Sequence, residues 1–232
     1  MDPLGEKYYS WSGYNYVMDS PVRLVDPDGR ESIKPIAGTV AEFKAVLDNI
    51  SKRKVGRFKG KQASDYLKSL GDTHFDLKRM RPVPTQTGFF NKKKGRCIYT
   101  EKGGWIDMVH FMFYAGRAYQ YKLAGKENPI GEAVQDGYMQ EFTDQIFAPH
   151  SAYSYEDLPS DKYGAEFAVN YFDPESDLTF GEQIANYLND VLCATDPENA
   201  PNYEELPEAD DRSSPPSRTN KTTDPVYVKD NP

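Results

Sequence analysis

Apolar and polar residues alternate with a helical period through much of the chain after residue 35. In the segment GTVAEFKAVLDNISKRK an apolar residue recurs every three or four positions, at Val40, Phe43, Val46, Leu47 and Ile50. This spacing predicts a helix, with Thr39 at the position of its N-cap. A shorter helix is predicted over QASDYLKSLGDT, ending at Gly71.

The strongest helical patterns lie in the second half of the chain. GGWIDMVHFMFYAGRAYQYKLAG predicts a central, buried helix of about five turns, because its first half is apolar on nearly all sides. Helices are also predicted over NPIGEAVQDGYMQEFTDQIF, after Pro129, and over TFGEQIANYLNDVLCA, where Thr179 and Glu182 form a capping box. The segment SAYSYEDLPSDKYGAEFAVNYF has two alternative helix starts, at Ser154 and Ser160.

The remaining segments predict little regular structure. THFDLKRMRPVPTQTGFF is expected to be extended or looped, because Pro82 and Pro84 prevent a regular helix, and NKKKGRCIYT is expected to form a turn and a short strand. From about Glu198 the chain is rich in Pro, Glu, Asp, Ser and Thr, which predicts a disordered acidic tail over residues 198–232. We therefore expect an α+β fold with a predominantly α-helical domain over residues 32–197.

The first thirty residues have a different pattern. The turn sequence Asp-Pro-x-Gly occurs at residues 2–5 and again at residues 26–29. The two turns bracket the aromatic run YYSWSGYNYV, which predicts a hairpin or a pair of strands that is too small to be stable alone. The fixed order of DPLG, YYSWSGYNYV and SPVRLVDPDGR, followed by unrelated sequence, resembles the end of the core region of Rhs/YD-repeat proteins.

This resemblance implies a biological role but no particular chemistry. In that family the core is a β-shell around a polymorphic C-terminal toxin, which is delivered to competing cells, often by a type VI secretion apparatus. The resemblance implies that residues 1–31 are a small N-terminal β remnant of the core and that residues 32–197 are an antibacterial toxin domain. It also implies three partners: the core shell, the secretion apparatus and a cognate immunity protein. The chain would be a fragment or an orphan cassette, made in the cytoplasm and then secreted or injected into a target cell.

Charge is distributed very unevenly along the chain. Residues 51–100 contain 14 of the 28 basic residues, whereas residues 101–232 contain 25 of the 36 acidic ones. A basic stretch can bind nucleic acid, so a nuclease toxin is the alternative function. Nucleic acid is not the favoured partner, because the lysines have helix-surface spacing and few aromatic residues are interleaved with them.

Several classes of protein are disfavoured by composition. The chain has no apolar run near the 18 residues of a membrane span, and no segment at its start resembles a signal peptide. Cys97 and Cys193 are predicted to be free thiols. His-x-x-x-His and His-Glu-x-x-His do not occur, so the spacing predicts no metal ligands and identifies no cofactor.

The segment WIDMVHF is the strongest candidate for catalysis. Asp107 and His110 are three residues apart, so their side chains share one face of the predicted helix. The carboxylate can fix the imidazole tautomer or support its charged form. Tyr114, Arg117 and Tyr121 follow on the same stripe, which would place a hydroxyl and a guanidinium on the same wall.

A second segment, SAYSYEDLPSD, is predicted to form a rigid loop that lies opposite the His110 helix and presents Glu156 and Asp157 to it. A serine nucleophile, Ser151 or Ser154 served by His110 or His150, is disfavoured because the strained Gly-x-Ser-x-Gly turn is missing. Carboxyl groups on predicted helices offer acid–base chemistry of the kind that glycan hydrolases use. These carboxyls are Glu132, Asp136, Glu141, Asp144 and Glu166.

Together with the toxin role that the resemblance implies, these patterns favour a hydrolase with a site centred on His110 that acts on cell-wall glycan or peptide. Besides the nuclease, the alternatives include a non-enzymatic module that binds a target protein or a membrane, or a carrier adaptor joined to the core remnant.

Overall fold

The computed structural model describes residues 37–49, 54–72, 96–147, 149, 152–196 and 219–225. Over these residues the fold is α+β and predominantly α-helical, as predicted, with six α-helices and one small sheet. The β remnant predicted over residues 1–31 and most of the predicted tail lie outside the described residues, as do His74, His150 and Ser151.

The sheet contains three short strands, β1 (Ala37–Gly38), β2 (Cys97–Thr100) and β3 (Gly104–Asp107). Strand β2 lies in the middle, parallel to β1 and antiparallel to β3. It is the strand predicted after the turn in NKKKGRCIYT. The register pairs Cys97 with Asp107 and Thr100 with Gly104, so the start of β2 lies beside the end of β3.

The predicted central helix starts later than its apolar pattern suggested. Gly104–Asp107 form strand β3, and helix α3 (Met108–Leu123) begins directly after it. The Asp107 side chain caps this helix by accepting a hydrogen bond from the backbone nitrogen of Val109 at 2.7 Å. A short apolar run has no period that separates strand from helix, and pairing with β2 decides the outcome here.

The other α-helices follow the sequence pattern closely. They are α1 (Val40–Asn49), α2 (Gly60–Leu70), α4 (Pro129–Phe147), α5 (Asp157–Glu166) and α6 (Phe180–Asn186). A single 3₁₀ turn at Val55–Arg57 precedes α2. Helices α5 and α6 each continue into a π-helical turn, at Phe167–Tyr171 and Tyr187–Val191.

The N-caps predicted at Thr39 and Thr179 are present. Thr39 Oγ1 accepts from the backbone nitrogen of Glu42 at 3.2 Å, and Glu42 Oε2 accepts from that of Thr39 at 3.0 Å. Thr179 and Glu182 form the same reciprocal pair at the start of α6, which confirms the predicted capping box.

The segment with two predicted helix starts forms one helix, which begins at Asp157 with Glu156 at its N-cap position, so neither Ser154 nor Ser160 is the cap. Ser160 lies inside α5, and its hydroxyl donates to the backbone oxygen of Glu156 at 2.5 Å. The turn that precedes the helix is closed by the backbone nitrogen of Asp157, which donates to the Ser154 carbonyl at 3.1 Å.

Helix α3 lies at the centre of the domain, as its apolar pattern predicted. It packs against α2, α4 and α5, and its residues are buried on most sides. Rings from the ends of α5 and α6 complete this core: the Phe111 ring lies 5.6 Å from that of Phe167 and 5.9 Å from that of Tyr187. Burial of this apolar surface is the main stabilising contribution to the fold.

Part of the predicted tail contacts the domain. Residues 219–225 lie against the loop before α5, where Thr219 pairs with Ser154 and the backbone nitrogen of Asn220 donates to the Tyr153 carbonyl at 3.1 Å. Among the described residues, no helix has the length and apolar character needed to cross a membrane. Both cysteines, Cys97 and Cys193, are free thiols.

The crossing of α5 over α3 depends on Gly164. A Cβ atom at this position would lie 2.8 Å from the carbonyl carbon of Phe111 and 2.9 Å from its Cα. We expect Gly164→Ala to lower the free energy of unfolding by about 1–3 kcal/mol, because the two helix backbones must separate. Urea denaturation measures the change. Gln135→Ala, at an exposed position of α4, is the control; equal stability of Gly164→Ala and wild type would contradict the prediction.

Candidate functional site

The His110 imidazole is held between two aspartates of α5. Its Nδ1 lies 2.9 Å from Oδ1 of Asp161, and its Nε2 lies 3.4 Å from Oδ1 of Asp157. The two aspartates are four residues apart, so one face of α5 presents both to α3. Both carboxylates are buried, whereas the His110 side chain is 14% exposed. The ring is therefore enclosed by polar groups and has access to solvent.

Asp107 forms the other side of this site and is bound by an arginine that the sequence did not single out. Arg96 donates to Oδ2 of Asp107 from Nε at 3.0 Å and from Nη2 at 2.8 Å. Oδ1 of Asp107 caps α3, and the side chain is fully buried. One ligand-type atom from each of Asp107, His110 and Asp157 lies within 4.8 Å of the other two.

The Ser160 hydroxyl attaches the start of α5 to the junction of β3 and α3, and the Ser154 hydroxyl fixes Glu156 in the turn before that helix. Ser160 Oγ accepts from the backbone nitrogen of Asp107 at 2.8 Å while it donates to the Glu156 carbonyl. Ser154 Oγ donates to Oε2 of Glu156 at 2.6 Å. Glu156 is buried, so its carboxyl contributes a further acidic group to the interior beside Asp107.

Helix α4 supplies another buried carboxyl, Glu141. It is 1% exposed, and its Oε2 accepts a short hydrogen bond from the backbone nitrogen of Tyr153. Its charge acts on both His110 and Asp161. The Tyr114 ring stacks beside the His110 ring, with centroids 6.2 Å apart and planes inclined by 27°.

Arg117 and Tyr121, which the helical stripe had placed with His110, belong to a separate cluster. Arg117 donates to Oδ2 of Asp136 from Nε at 2.9 Å, and the Tyr121 hydroxyl donates to the same oxygen at 2.7 Å. Seven residues of helix separate Arg117 from His110, which is about 10 Å along the axis. The predicted stripe of His110, Tyr114, Arg117 and Tyr121 therefore belongs to two clusters, and only His110 and Tyr114 contact the acidic site.

Three of the other candidate carboxyls bind partners away from the His110 ring. Glu132 faces Lys126, Asp144 accepts from Gln140, and Asp136 binds Arg117. The Ser154 hydroxyl is bound to Glu156, which does not support its role as a nucleophile.

Three important side chains escaped the sequence analysis or were not distinguished by it. Nothing in the sequence indicated a role for Arg96, because an arginine at the end of a basic run is expected to be solvated. Asp161 had a signal in its i, i+4 spacing from Asp157 within EDLPSD. Glu141 was one of five helix carboxyls of equal standing, and only packing separates it from the others.

Burial and neighbouring charge shift the pKa values in opposite directions across the site. Burial tends to raise the pKa of Asp107, but Arg96 and His110 outweigh it and lower the value to about 2. Burial raises the pKa of Asp161 to about 6 and that of Glu141 to about 7, although His110 opposes both shifts. Burial lowers the pKa of His110, but Asp157 and Asp161 raise it more. The site therefore holds exchangeable protons near neutral pH, as sites of acid–base catalysis do.

The titration of Glu141 predicts a pH-dependent stability. A glutamate in the unfolded chain titrates near 4.3, so the folded protein retains a proton that the unfolded chain has lost between about pH 4.5 and 7. Stability should therefore fall as pH rises through this window. We expect Glu141→Gln, which keeps an acceptor for Tyr153, to be more stable than wild type by about 1–3 kcal/mol at pH 8 and by almost nothing at pH 4.

Urea denaturation of wild type and variant at pH 4, 6 and 8 measures this difference. Glu132→Gln, an exposed position on the same helix, is the control. A difference between Glu141→Gln and wild type that stays constant across the pH range would refute the assignment.

The chain matches no protein-family model, no curated protein and no solved structure.

Proposed function

We propose that this chain is an antibacterial toxin, the variable C-terminal part of an Rhs/YD-repeat protein, and that it hydrolyses cell-wall glycan or peptide. The toxin role rests on the order of DPLG, YYSWSGYNYV and SPVRLVDPDGR at the start of the chain. The hydrolase role rests on one observation, which is the His110 ring held between the buried carboxylates of Asp157 and Asp161.

The arrangement around the ring suits activation of water. Asp161 binds Nδ1 and thereby directs Nε2 towards Asp157. Bond cleavage by water requires a group that accepts its proton and a group that protonates the leaving atom. His110 and Asp157 supply such a pair. Asp161 acts by positioning the ring, and Arg96 and Ser160 position Asp107 and the start of α5.

The charge of the site favours an uncharged backbone as substrate. Five buried carboxyl groups lie at or near the site: Asp107, Asp157, Asp161 and Glu141, which act on the ring, and Glu156, which lies beside Asp107. Without a bound cation such a site repels the phosphates of nucleic acid, whereas it tolerates the acetal or amide bonds of the cell wall. The exposed basic side chains in residues 54–72 lie on another part of the chain and are the basis of the nuclease alternative.

The compartment in which the protein kills tests this proposal. We expect expression of the full chain with an export signal to lyse a susceptible strain, and expression without the signal to leave it viable. Purified protein should release soluble fragments from isolated cell wall and leave plasmid and RNA intact in the presence of Mg²⁺, Mn²⁺ or Zn²⁺. Killing only in the cytoplasm, or degradation of nucleic acid, would refute the cell-wall hydrolase and support the nuclease alternative.

The partners that the resemblance implies are part of the proposal. They are a cognate immunity protein, the core shell and the secretion apparatus. An immunity protein that covers the His110 site would neutralise the acidic charge there with basic residues, and complementary charge would accelerate its association. Coexpression of the cognate immunity protein should restore growth of susceptible cells that express the exported toxin.

A further inference from the structure

Three ligand-type side chains meet where β3, α3 and α5 converge. Atoms of Asp107, His110 and Asp157 lie within 4.8 Å of one another. Ligands bound at about 2.0–2.2 Å to one Zn²⁺ are roughly 3–4 Å apart, so side-chain movements on the order of 1 Å would close this set around an ion. Two of the three are buried, and the third, His110, is partly exposed and leaves a route from solvent.

The His110 ring is oriented as metal-binding imidazoles are. Metal-ligating histidines almost always donate from one ring nitrogen to a carboxylate or carbonyl and bind the ion with the other. Asp161 supplies that carboxylate at Nδ1, at 2.9 Å. The distance of 3.4 Å from Nε2 to Asp157 is longer than an ordinary hydrogen bond, and two ligands of one ion are separated by a distance of this size.

The buried charge is not balanced by the protein. In the described part of the chain, Arg96 and His110 are the cationic side chains that act on the five buried carboxyls at or near the site. Burial of unpaired carboxylates is costly, so the excess must be offset by protons or by a bound cation. A divalent cation offsets two negative charges of the site at once, and its carboxylate ligands stay deprotonated.

A second observation concerns Asp161, the carboxylate that holds the ring and whose free oxygen faces Gly137 of α4. Oδ2 of Asp161 is buried, and it has no hydrogen-bond partner in the described residues. A carboxylate that makes one hydrogen bond and leaves its other oxygen unsatisfied is unfavourable unless it faces a strong positive charge. A cation on the far side of the imidazole would increase the charge on the Nδ1 hydrogen and so stabilise this carboxylate.

Asp107 can serve as a ligand even though both of its oxygens accept hydrogen bonds. Oδ2 accepts from Arg96 and Oδ1 accepts from Val109. A carboxylate has about four lone-pair positions, so at least one remains for an ion. Arg96 then acts as an outer partner that orients the ligand.

We propose that Nε2 of His110 and the carboxylates of Asp157 and Asp107 bind one divalent cation of the Zn²⁺ or Mn²⁺ type, and that Asp161 positions the ring for it. One imidazole with two carboxylates is a donor set that favours these ions over Mg²⁺ and Ca²⁺, which prefer oxygen ligands only. Three protein ligands leave positions free for water, as in catalytic sites. The sequence alone predicted no metal ligands, because the three residues have no recognised spacing.

As a statement about catalysis, this inference rests on the proposed function. A bound cation would lower the pKa of its water. Because His110 and Asp157 would then be ligands and no longer the acid–base pair, the proton of that water would pass to another carboxyl of the site. The hydroxide would add to the carbon of the scissile bond, that bond would break, and the proton would return to the leaving atom. Metal binding itself requires no substrate and is measured separately.

Equilibrium dialysis of the chelator-treated full chain against Zn²⁺ and Mn²⁺, followed by metal analysis, is the test. We expect one equivalent of bound ion and a higher melting temperature for wild type with the ion present. Asp157→Asn should weaken binding by about 10²-fold or more, and Asp161→Asn by about 10–100-fold. Asp65→Asn, an exposed carboxylate paired with Lys61, is the matched control and should bind as wild type does.

The outcomes separate this inference from the proposed function. If wild type binds no ion and shows no rise in melting temperature, or if Asp157→Asn binds as tightly as wild type, the metal site is refuted even where killing depends on His110. Tight binding of Mg²⁺ or Ca²⁺ in preference to Zn²⁺ and Mn²⁺ would refute the type of ion. A third outcome is that wild type binds one equivalent of ion, Asp157→Asn does not bind it, and both proteins kill equally well. This outcome would uphold the metal site and refute the hydrolase.

Discussion

Replacement of His110 by Gln is expected to abolish killing by the exported protein and to reduce hydrolysis of isolated cell wall by about 10²–10⁴-fold. Glutamine keeps the size and polarity of the side chain but provides neither a proton-exchanging nor a strong metal-binding nitrogen at the position of Nε2. The acidic groups around it remain, so the loss would report the imidazole itself. Colony counts after induced export and release of soluble wall fragments measure the two effects.

Arg117→Gln is the matched control for this experiment. Arg117 lies on the same helix as His110, but its side chain binds Asp136 and Tyr121 and not the acidic site. We expect it to retain killing, and circular dichroism should show that both variants are folded. Equal killing by His110→Gln and wild type would refute a catalytic role for the ring and favour a non-enzymatic binding module.

Replacement of Arg96 by Met should have the largest effect on stability. The Arg96 side chain is 12% exposed and that of Asp107 is fully buried, so their ion pair lies almost entirely inside the protein. Removal of the arginine leaves a buried carboxylate without its partner, which typically costs about 3–5 kcal/mol. We expect a loss of this size in the free energy of unfolding at pH 7, measured by urea denaturation.

The pH dependence of this loss identifies its cause. The pKa of Asp107 is lowered to about 2 in the folded protein, so its contribution to stability is present above the pKa of the unfolded chain, near 3.9, and is lost as pH falls towards 2. The difference between Arg96→Met and wild type should therefore shrink below about pH 4. Arg57→Met, which removes an exposed and loosely paired arginine, should cost less than about 1 kcal/mol. A loss for Arg96→Met that is no larger than that of Arg57→Met would show that the buried pair is unimportant.

The features that sequence analysis predicted well depend on residues close together in the chain. The caps of α1 and α6 join residues three apart, Thr39 with Glu42 and Thr179 with Glu182, so local geometry is enough to form them. The proximity of Asp107 to His110 at the start of α3 has the same origin, but the expected partnership is not observed: Asp107 binds Arg96 and caps the helix, and Asp161 binds the imidazole. A period of apolar residues likewise needs no distant partner to indicate a helix.

The features that it missed depend on contacts between distant segments. Strand β3 is extended because β2 pairs with it, and β2 pairs in turn with β1, whose Ala37 aligns with Cys97 across 60 residues of chain. The ring of His110 meets Asp161, 51 residues later, only because Gly164 lets α5 approach the backbone of α3. Arg117 left the predicted wall because α4 offers it Asp136 as a partner.

The sequence by itself determined the helical character of the domain, the caps of its helices and the presence of an acid and an imidazole on one turn of α3. These depend on hydrogen bonds and spacing within a few residues, which the order of amino acids specifies directly. Only the tertiary structure decided that Gly104–Asp107 form a strand and which carboxyls enclose His110. The physical reason is that burial and ion pairing act between segments that packing alone brings together, and these forces select one acidic side chain over another of identical chemistry.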